Sequence, residues 1–275
     1  MEIKQVEQLF LWEKMIEEIK IILLAIIQGI TEFLPISSSG HIVLFESLFG
    51  SMDSDITIEV ILHFGTLVSI LYFFRADIWA LLKGLILNQK DKTQYFIQVC
   101  LATIPAVVFV LLMQIIDFKI ESLFNMNTLI YTYFFNTIIL LAIRNYENGQ
   151  KVITYKLAIF MGLSQVFALL PGISRAGITI CTALLLGYDQ KTAAKFSFFM
   201  AIPAMLGALV FKIDDILYHS SFDFHLLVLG FIFSLITGLL VLKLLFKILE
   251  GRRLWMFAIY SSVIWVFVIS LVYNG

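Results

Sequence analysis

Charge is the scarcest property of this 275-residue chain: 14% of its residues are Asp, Glu, Lys or Arg, where a soluble domain carries about 25%. Its apolar share is 60%, with 26 Phe, above the roughly 45–50% of soluble proteins. A water-soluble globular domain is therefore excluded, and an integral membrane protein remains. Excess positive charge is missing too. A formal net charge of -1 leaves no basic face for nucleic acid. Cysteine is almost absent; Cys100 and Cys181 each lie in apolar sequence and read as small buried hydrophobes, not as a disulfide or metal ligands. Residues 1–20 carry charges of both signs and end in no small-residue cleavage site. They read as an amphipathic interfacial helix and not as a removed signal peptide.

Long apolar runs fill the space that charge leaves. Six are expected to cross the membrane as helices, at about 58–74, 95–116, 128–143, 195–211, 224–248 and 254–273, because about 20 apolar residues span about 30 Å of hydrocarbon. Two further apolar segments, 21–49 and 157–186, are interrupted near their middles by ITEFLPISSSGH and PGISRAG. Each of their arms is too short to cross.

The interrupted segments resemble each other. When Pro35 is set against Pro171, a glutamine lies just upstream in both (Gln28, Gln165), Ser38 matches Ser174, a glycine closes each second arm (Gly50, Gly187), and Glu59 and Lys195 both fall 24 residues after their prolines. Two copies of one unit follow, each a broken hairpin and three crossings. An odd number of crossings turns the second copy upside down. The expected fold is thus an all-α polytopic membrane protein with an inverted-topology repeat, six transmembrane helices and two re-entrant helical hairpins. Its parts are the interfacial helix at 1–20, a first repeat at 21–144 and a second at 157–275. With both hairpins re-entrant, thirteen of the nineteen Lys and Arg fall on one side and five (Lys4, Lys14, Lys20, Lys119, Lys212) on the other, with Arg175 inside the second hairpin. The positive-inside rule makes the first side cytoplasmic. The first hairpin, the 50–57 loop, His219 and His225 then face outside, and Asn148 faces the cytoplasm.

Chemistry concentrates at the two interruptions. Gln28 and Glu32 are four apart and share a helix face. Pro35 ends the first arm. Ser37, Ser38 and Ser39 stand where hydroxyls cap free N–H groups, and Gly40 permits close backbone approach. His41 follows in the first turn of the outgoing arm. In the second hairpin Pro171 and Gly172 make the break, Ser174 takes the cap position, and Arg175 and Thr179 share one face. Two helix N-termini and a guanidinium make an anion cradle. Glu32 and Arg175 also fit a structural ion pair, because charge at membrane depth is usually either paired or functional. His63 fits either a pore-lining group or a packing histidine.

These residues resemble the undecaprenyl-pyrophosphate phosphatases, the bacitracin-resistance family of bacterial membrane enzymes. QGITEFLPISSSGH and PGISRAGITI look like the family's two signature motifs, and FSFFMAIPAMLGA and FAIYSSVIW extend the likeness over nearly all the chain after residue 20. The resemblance implies removal of the terminal phosphate of undecaprenyl diphosphate, recycling a lipid carrier for cell-wall synthesis and conferring resistance to bacitracin. It implies a catalytic set of Glu32, Ser38 and His41, a phosphate-binding set of Ser174, Arg175 and Thr179, and support from Gln28, Ser37, Ser39, Gly40 and Gly172. It also implies a divalent cation, Mg or Ca, held by Glu32 and the substrate's phosphates. Expected partners are an isoprenyl diphosphate lipid, the bacterial plasma membrane and a second copy of the chain, with no nucleic acid, and the active site faces the extracytoplasmic side. Two positions depart from the pattern. The opening position of the first motif, Glu or Gln in the family, is Gln28 here and cannot be a carboxylate, which shifts the acid–base or metal-binding burden to Glu32, and Ala176 stands where many members carry serine. Either Ser38 or a water is the attacking group, activated by His41 or Glu32. A second class of lipid phosphatase needs a histidine six residues after its arginine; here that residue is Cys181. A transporter of the lipid phosphate carrier is the rival reading, since paired broken helices also build transporters.

Overall fold

The structure, a computed structural model, describes residues 2–50, 56–147, 149, 151–212 and 223–274. Expectations attached to the 51–55 part of the loop, to Asn148 and to His219 lie outside the described residues. The described elements are α1 (Glu2–Thr31), α2 (Ser38–Phe49), α3 (Ile56–Phe73), α4 (Arg75–Ile86), α5 (Lys90–Ile115), α6 (Met126–Ala142), α7 (Tyr155–Phe167), α8 (Arg175–Leu185), α9 (Gln190–Phe211), α10 (Phe224–Glu250) and α11 (Phe257–Asn274), with short 3-10 turns at Ile120–Leu123 and Leu254–Met256. There are no strands among the described residues. Such a chain suits the bilayer, where each helix satisfies its own backbone polar groups.

Four helical stretches are long and apolar enough to cross a membrane: Lys90–Ile115, Gln190–Phe211, Phe224–Glu250 and Leu254–Tyr273. A fifth crossing results if Thr57–Phe73 and Arg75–Ile86, bent by 72° at their junction, count as one span. The run expected at 128–143 forms α6, whose 17 residues sit at the short end of the roughly 17–25 that cross a bilayer. Helices expected at 95 and 195 begin instead at Lys90 and Gln190, because polar interfacial residues join the first turn without adding hydropathy. The 1–20 segment has no boundary of its own in the backbone, since α1 runs unbroken from Glu2 into the first hairpin arm.

Both interrupted segments fold back on themselves. Lys20 Nζ in α1 donates to the carbonyl of Phe49 at the end of α2, at 3.1 Å, so that hairpin closes where it began. Thr154, the cap of α7, meets the hydroxyl of Tyr188 just after α8 at 2.7 Å. The mouths lie at opposite ends of the bundle. Lys14 and Glu18 of α1 pair with Asp223 and His225 at the start of α10 (3.4 and 3.7 Å), whereas Lys191, just beyond the second mouth, pairs with Glu250 at the end of α10 (2.8 Å).

Each first arm packs along a long helix from the other half of the chain, α1 on α10 and α7 on α5. Small residues allow these approaches, as in many membrane bundles. A Cβ at Gly65 of α3 would lie 2.0 Å from Ser234 Oγ of α10, and one at Gly238 would lie 2.7 Å from Ser69 Oγ of α3. The core runs through the bundle from Phe33 and Leu67 to Phe196, Phe198 and Leu245, all fully buried. Outward faces of α5 and α6 carry exposed Leu111, Leu112, Phe134 and Ile138, an apolar surface suited to lipid.

Candidate active site

The two breaks meet tip to tip. Pro35 has no backbone donor and disfavours helix at the residue before it; α1 accordingly stops at Thr31, whose hydroxyl donates to the Ile27 carbonyl at 2.7 Å. Ser37 then takes φ 68°, ψ 107°, a region non-glycine residues seldom enter and which clusters at functional sites. Its buried hydroxyl accepts the N–H of Gly40 (3.3 Å), capping α2, and the N–H of Gly172 in the other hairpin (3.1 Å). Gly172 has φ 92°, and a Cβ there would sit 2.2 Å from Thr132 Oγ1, so both its conformation and its space require glycine. Ser174 caps α8, accepting from the Gly177 N–H at 3.0 Å and donating to the Leu34 carbonyl at 3.2 Å. Gly40 completes the interlock. A Cβ on it would meet Tyr133 Oη at 2.6 Å and Gly172 Cα at 2.9 Å.

Asn136 of α6 ties the two breaks together. Its Oδ1 accepts from the Ser174 N–H at 3.1 Å, and its Nδ2 donates to the Pro35 carbonyl at 3.1 Å and to Ser261 Oγ at 3.2 Å. All these groups are buried, where an unmatched polar atom would cost about 1–3 kcal/mol.

Glu32 is the hub of the polar centre. Arg175 Nη2 donates to its Oε1 at 2.7 Å, while Ser38 Oγ donates to its Oε2 at 2.7 Å and Gln28 Nε2 to the same oxygen at 3.1 Å. The carboxylate side chain is 8% exposed and the guanidinium 15%. Desolvating such charges is expensive, so each holds the other in place. Among the described residues, two polar atoms here have no partner: Arg175 Nη1 and Gln28 Oε1, both buried. His63 of α3 stands at the open edge with Nε2 3.9 Å from Glu32 Oε2 and a side chain 38% exposed. The arrangement can bind an anion through the free Nη1 and move a proton from Ser38 to Glu32.

Other residues expected in the site lie nearby with their polar atoms engaged elsewhere. His41 Nδ1 is 2.7 Å from the Ser37 carbonyl and 3.0 Å from Tyr133 Oη, and Nε2 is 2.8 Å from Tyr260 Oη, whose ring stacks on the imidazole. A carbonyl only accepts, so Nδ1 carries a hydrogen and, in the neutral ring, Nε2 accepts from Tyr260. Thr179, fully buried, donates to the Arg175 carbonyl at 2.7 Å and touches Ser197 Oγ at 2.7 Å. Ser39 Oγ lies 3.2 Å from Ser37 Oγ. Thus Gln28, Glu32, Ser38 and Arg175 are joined by direct bonds, Ser37, Gly40, Gly172 and Ser174 build the frame, and His41 and Thr179 bond outside the hub. Among the described residues no group of three His, Cys, Asp or Glu could by itself hold a metal ion.

The profile described as Bacitracin resistance protein BacA matches residues 21–267, which contain every residue of this site. The chain belongs to the BacA family. Similar curated proteins named undecaprenyl-diphosphatase include one from Methanobrevibacter smithii, 36% identical over 269 residues that cover 91% of this chain and 96% of that one. Another from Christiangramia forsetii is 36% identical, covering 92% and 97%, and one from Halothermothrix orenii is 34% identical, covering 93% and 98%.

Sequence reasoning names neither Asn136 nor Tyr260 of this BacA-family site, and it leaves the role of His63 open. Asn136 sits inside a run that reads as an ordinary crossing, with Tyr133 three residues before it. Tyr260 reaches His41 from a helix 219 residues away in sequence. His63 carried one usable signal, its place in an apolar helix where an ionisable group is costly.

Proposed function

We infer that this chain hydrolyses undecaprenyl diphosphate to undecaprenyl phosphate and inorganic phosphate, in the manner that its relatives' names describe. One observation carries the reading: a serine hydroxyl bonded to a carboxylate that is itself clamped by an arginine with a free N–H, where two helix breaks meet. As Ser38 Oγ attacks the terminal phosphorus, its proton passes to Glu32 Oε2, 2.7 Å away. The bond to the bridging oxygen breaks, and the lipid monophosphate leaves with the electron pair. Water then cleaves the phosphoserine and restores the serine. Arg175 offers Nη1 to the transferring phosphoryl group.

A divalent cation, implied by the family resemblance, fits the centre: Glu32 supplies a carboxylate, and Gln28 Oε1, buried without a partner, supplies a neutral oxygen. These two would hold the ion, which would neutralise negative charge on the diphosphate. His41, held by Tyr133 and Tyr260, adjoins the centre and orders the start of α2.

The opposed hairpin mouths support two inverted repeats, with the hairpins dipping into a bacterial plasma membrane from opposite faces. The Lys and Arg asymmetry puts the first mouth outside, and chemistry therefore on the extracytoplasmic side. The direct test is phosphate release from undecaprenyl diphosphate by purified protein in vesicles, with Glu32→Gln as control. Release by the native chain and none by the variant, which still binds lipid diphosphate, is the expected result. A native chain that moved lipid phosphate between leaflets and released nothing would establish the transporter reading instead.

A further inference from the structure

His63 is the ionisable side chain nearest the hub to which the phosphatase mechanism gives no role. Its Nδ1 lies 2.8 Å from the Glu59 carbonyl. That oxygen only accepts, so Nδ1 donates and leaves Nε2 as a bare lone pair in the neutral ring. Nε2 has no hydrogen-bond partner among the described residues; it faces Glu32 Oε2 across 3.9 Å. This is too long for a hydrogen bond. It is a fitting separation for two ligands of one ion, since nitrogen and oxygen ligands lie about 2.0–2.2 Å from a metal such as zinc and so at most about 4.3 Å apart. Anchoring the opposite ring nitrogen on a backbone carbonyl is also how proteins usually orient a metal-binding histidine. The outer side of the ring is open, with the side chain 38% exposed against 8% for Glu32, which gives an ion a way in.

We propose that His63 Nε2 joins Glu32 and Gln28 Oε1 in holding one divalent cation, and that oxygens of the bound diphosphate complete its shell. The proposal rests on the phosphatase reading and extends it from Glu32 to a nitrogen ligand on α3. It also changes the class of ion. Oxygen-only sites suit Mg and Ca, whereas an imidazole beside a carboxylate favours first-row transition ions. Because no three-residue metal cluster exists among the described residues, tight binding needs the diphosphate.

The test uses the full chain in detergent with Mn2+ and inorganic diphosphate. Electron spin-echo spectra of the bound ion should show coupling to an imidazole nitrogen-14. His63→Ala should remove that coupling and weaken Mn2+ binding by about tenfold or more. His41→Ala should keep it, because the nitrogens of His41 face Tyr133, Tyr260 and the Ser37 carbonyl. Bound Mn2+ without nitrogen coupling in the native chain, no Mn2+ binding at all, or coupling that survives His63→Ala would overturn the proposal. Phosphate release from undecaprenyl diphosphate is measured on the same preparation. Release without nitrogen coupling overturns the metal seat alone, and absence of release with every divalent ion overturns the phosphatase reading beneath it.

Discussion

The two hairpins share a design and divide the chemistry unequally. In each, a proline follows the first arm, a serine caps the outgoing helix, and the residue after the cap enters the polar centre. The cap is Ser37 in the first hairpin and Ser174 in the second, so the residues in matching places are Ser38 and Arg175, the first of α2 and of α8. Matching the prolines pairs Ser38 with Ser174 and is out of step by one. The difference separates frame from function. One hairpin places a hydroxyl and a carboxylate at the centre, and the other places a guanidinium opposite them.

The sharpest way to break this division is at Arg175. Arg175→Lys keeps the charge but loses the planar fork that can hold Glu32 with one nitrogen and phosphate with the other. A fall in phosphate release of about 100- to 1,000-fold is expected. Near-native turnover would reduce Arg175 to a structural counter-ion.

Asn136→Ala cuts the tie between the hairpins. It strands the Ser174 N–H and the Pro35 carbonyl, at about 1–3 kcal/mol for each buried group left unmatched. At about 2–4 °C per kcal/mol for chains of roughly this size, the thermal midpoint should fall by several degrees. An unchanged midpoint would mean the two tips do not depend on their shared bridge.

Ser37→Ala and Ser174→Ala test the matching of caps. Each should cost stability in the range of a lost cap, about 0.5–2 kcal/mol, with Ser37→Ala the larger because its hydroxyl also receives the Gly172 N–H. A Ser174 variant that kept full stability would undo the pairing of Ser174 with Ser37.

The smallest effect is expected from Thr179→Val. The Thr179 hydroxyl bonds the Arg175 carbonyl and Ser197, so its loss should cost about 1 kcal/mol of stability and leave phosphate release nearly unchanged. A collapse of turnover in a folded Thr179→Val protein would return Thr179 to the phosphate site that the family resemblance implies.

How much of this was legible in the sequence follows from the range of each interaction. The breaks at Pro35 and Pro171, the helices between them and the acid, serine and arginine of the centre are local signals: a proline, a polar cluster, an apolar run. The one-residue shift between Ser37 and Ser174 depends on where each helix begins, which the triple serine leaves ambiguous. The bend between α3 and α4 carries no proline or glycine at Phe74 to announce it. His41 could be placed in its helix, but not its bonds to Tyr133 and Tyr260, because both partners come from distant helices. His63 was visible as an ionisable group at depth, while its approach to Glu32 exists only once α1 and α3 lie side by side.

The measurement that bears most directly on the division between frame and function is phosphate release from undecaprenyl diphosphate by Ser38→Ala and Ser174→Ala, compared at equal amounts of bound substrate. Ser38→Ala should lose about 1,000-fold or more, as for a missing nucleophile, while Ser174→Ala should keep most of its turnover per folded molecule. Comparable turnover in the two variants would contradict the assignment of Ser38 to the chemistry and Ser174 to the cap.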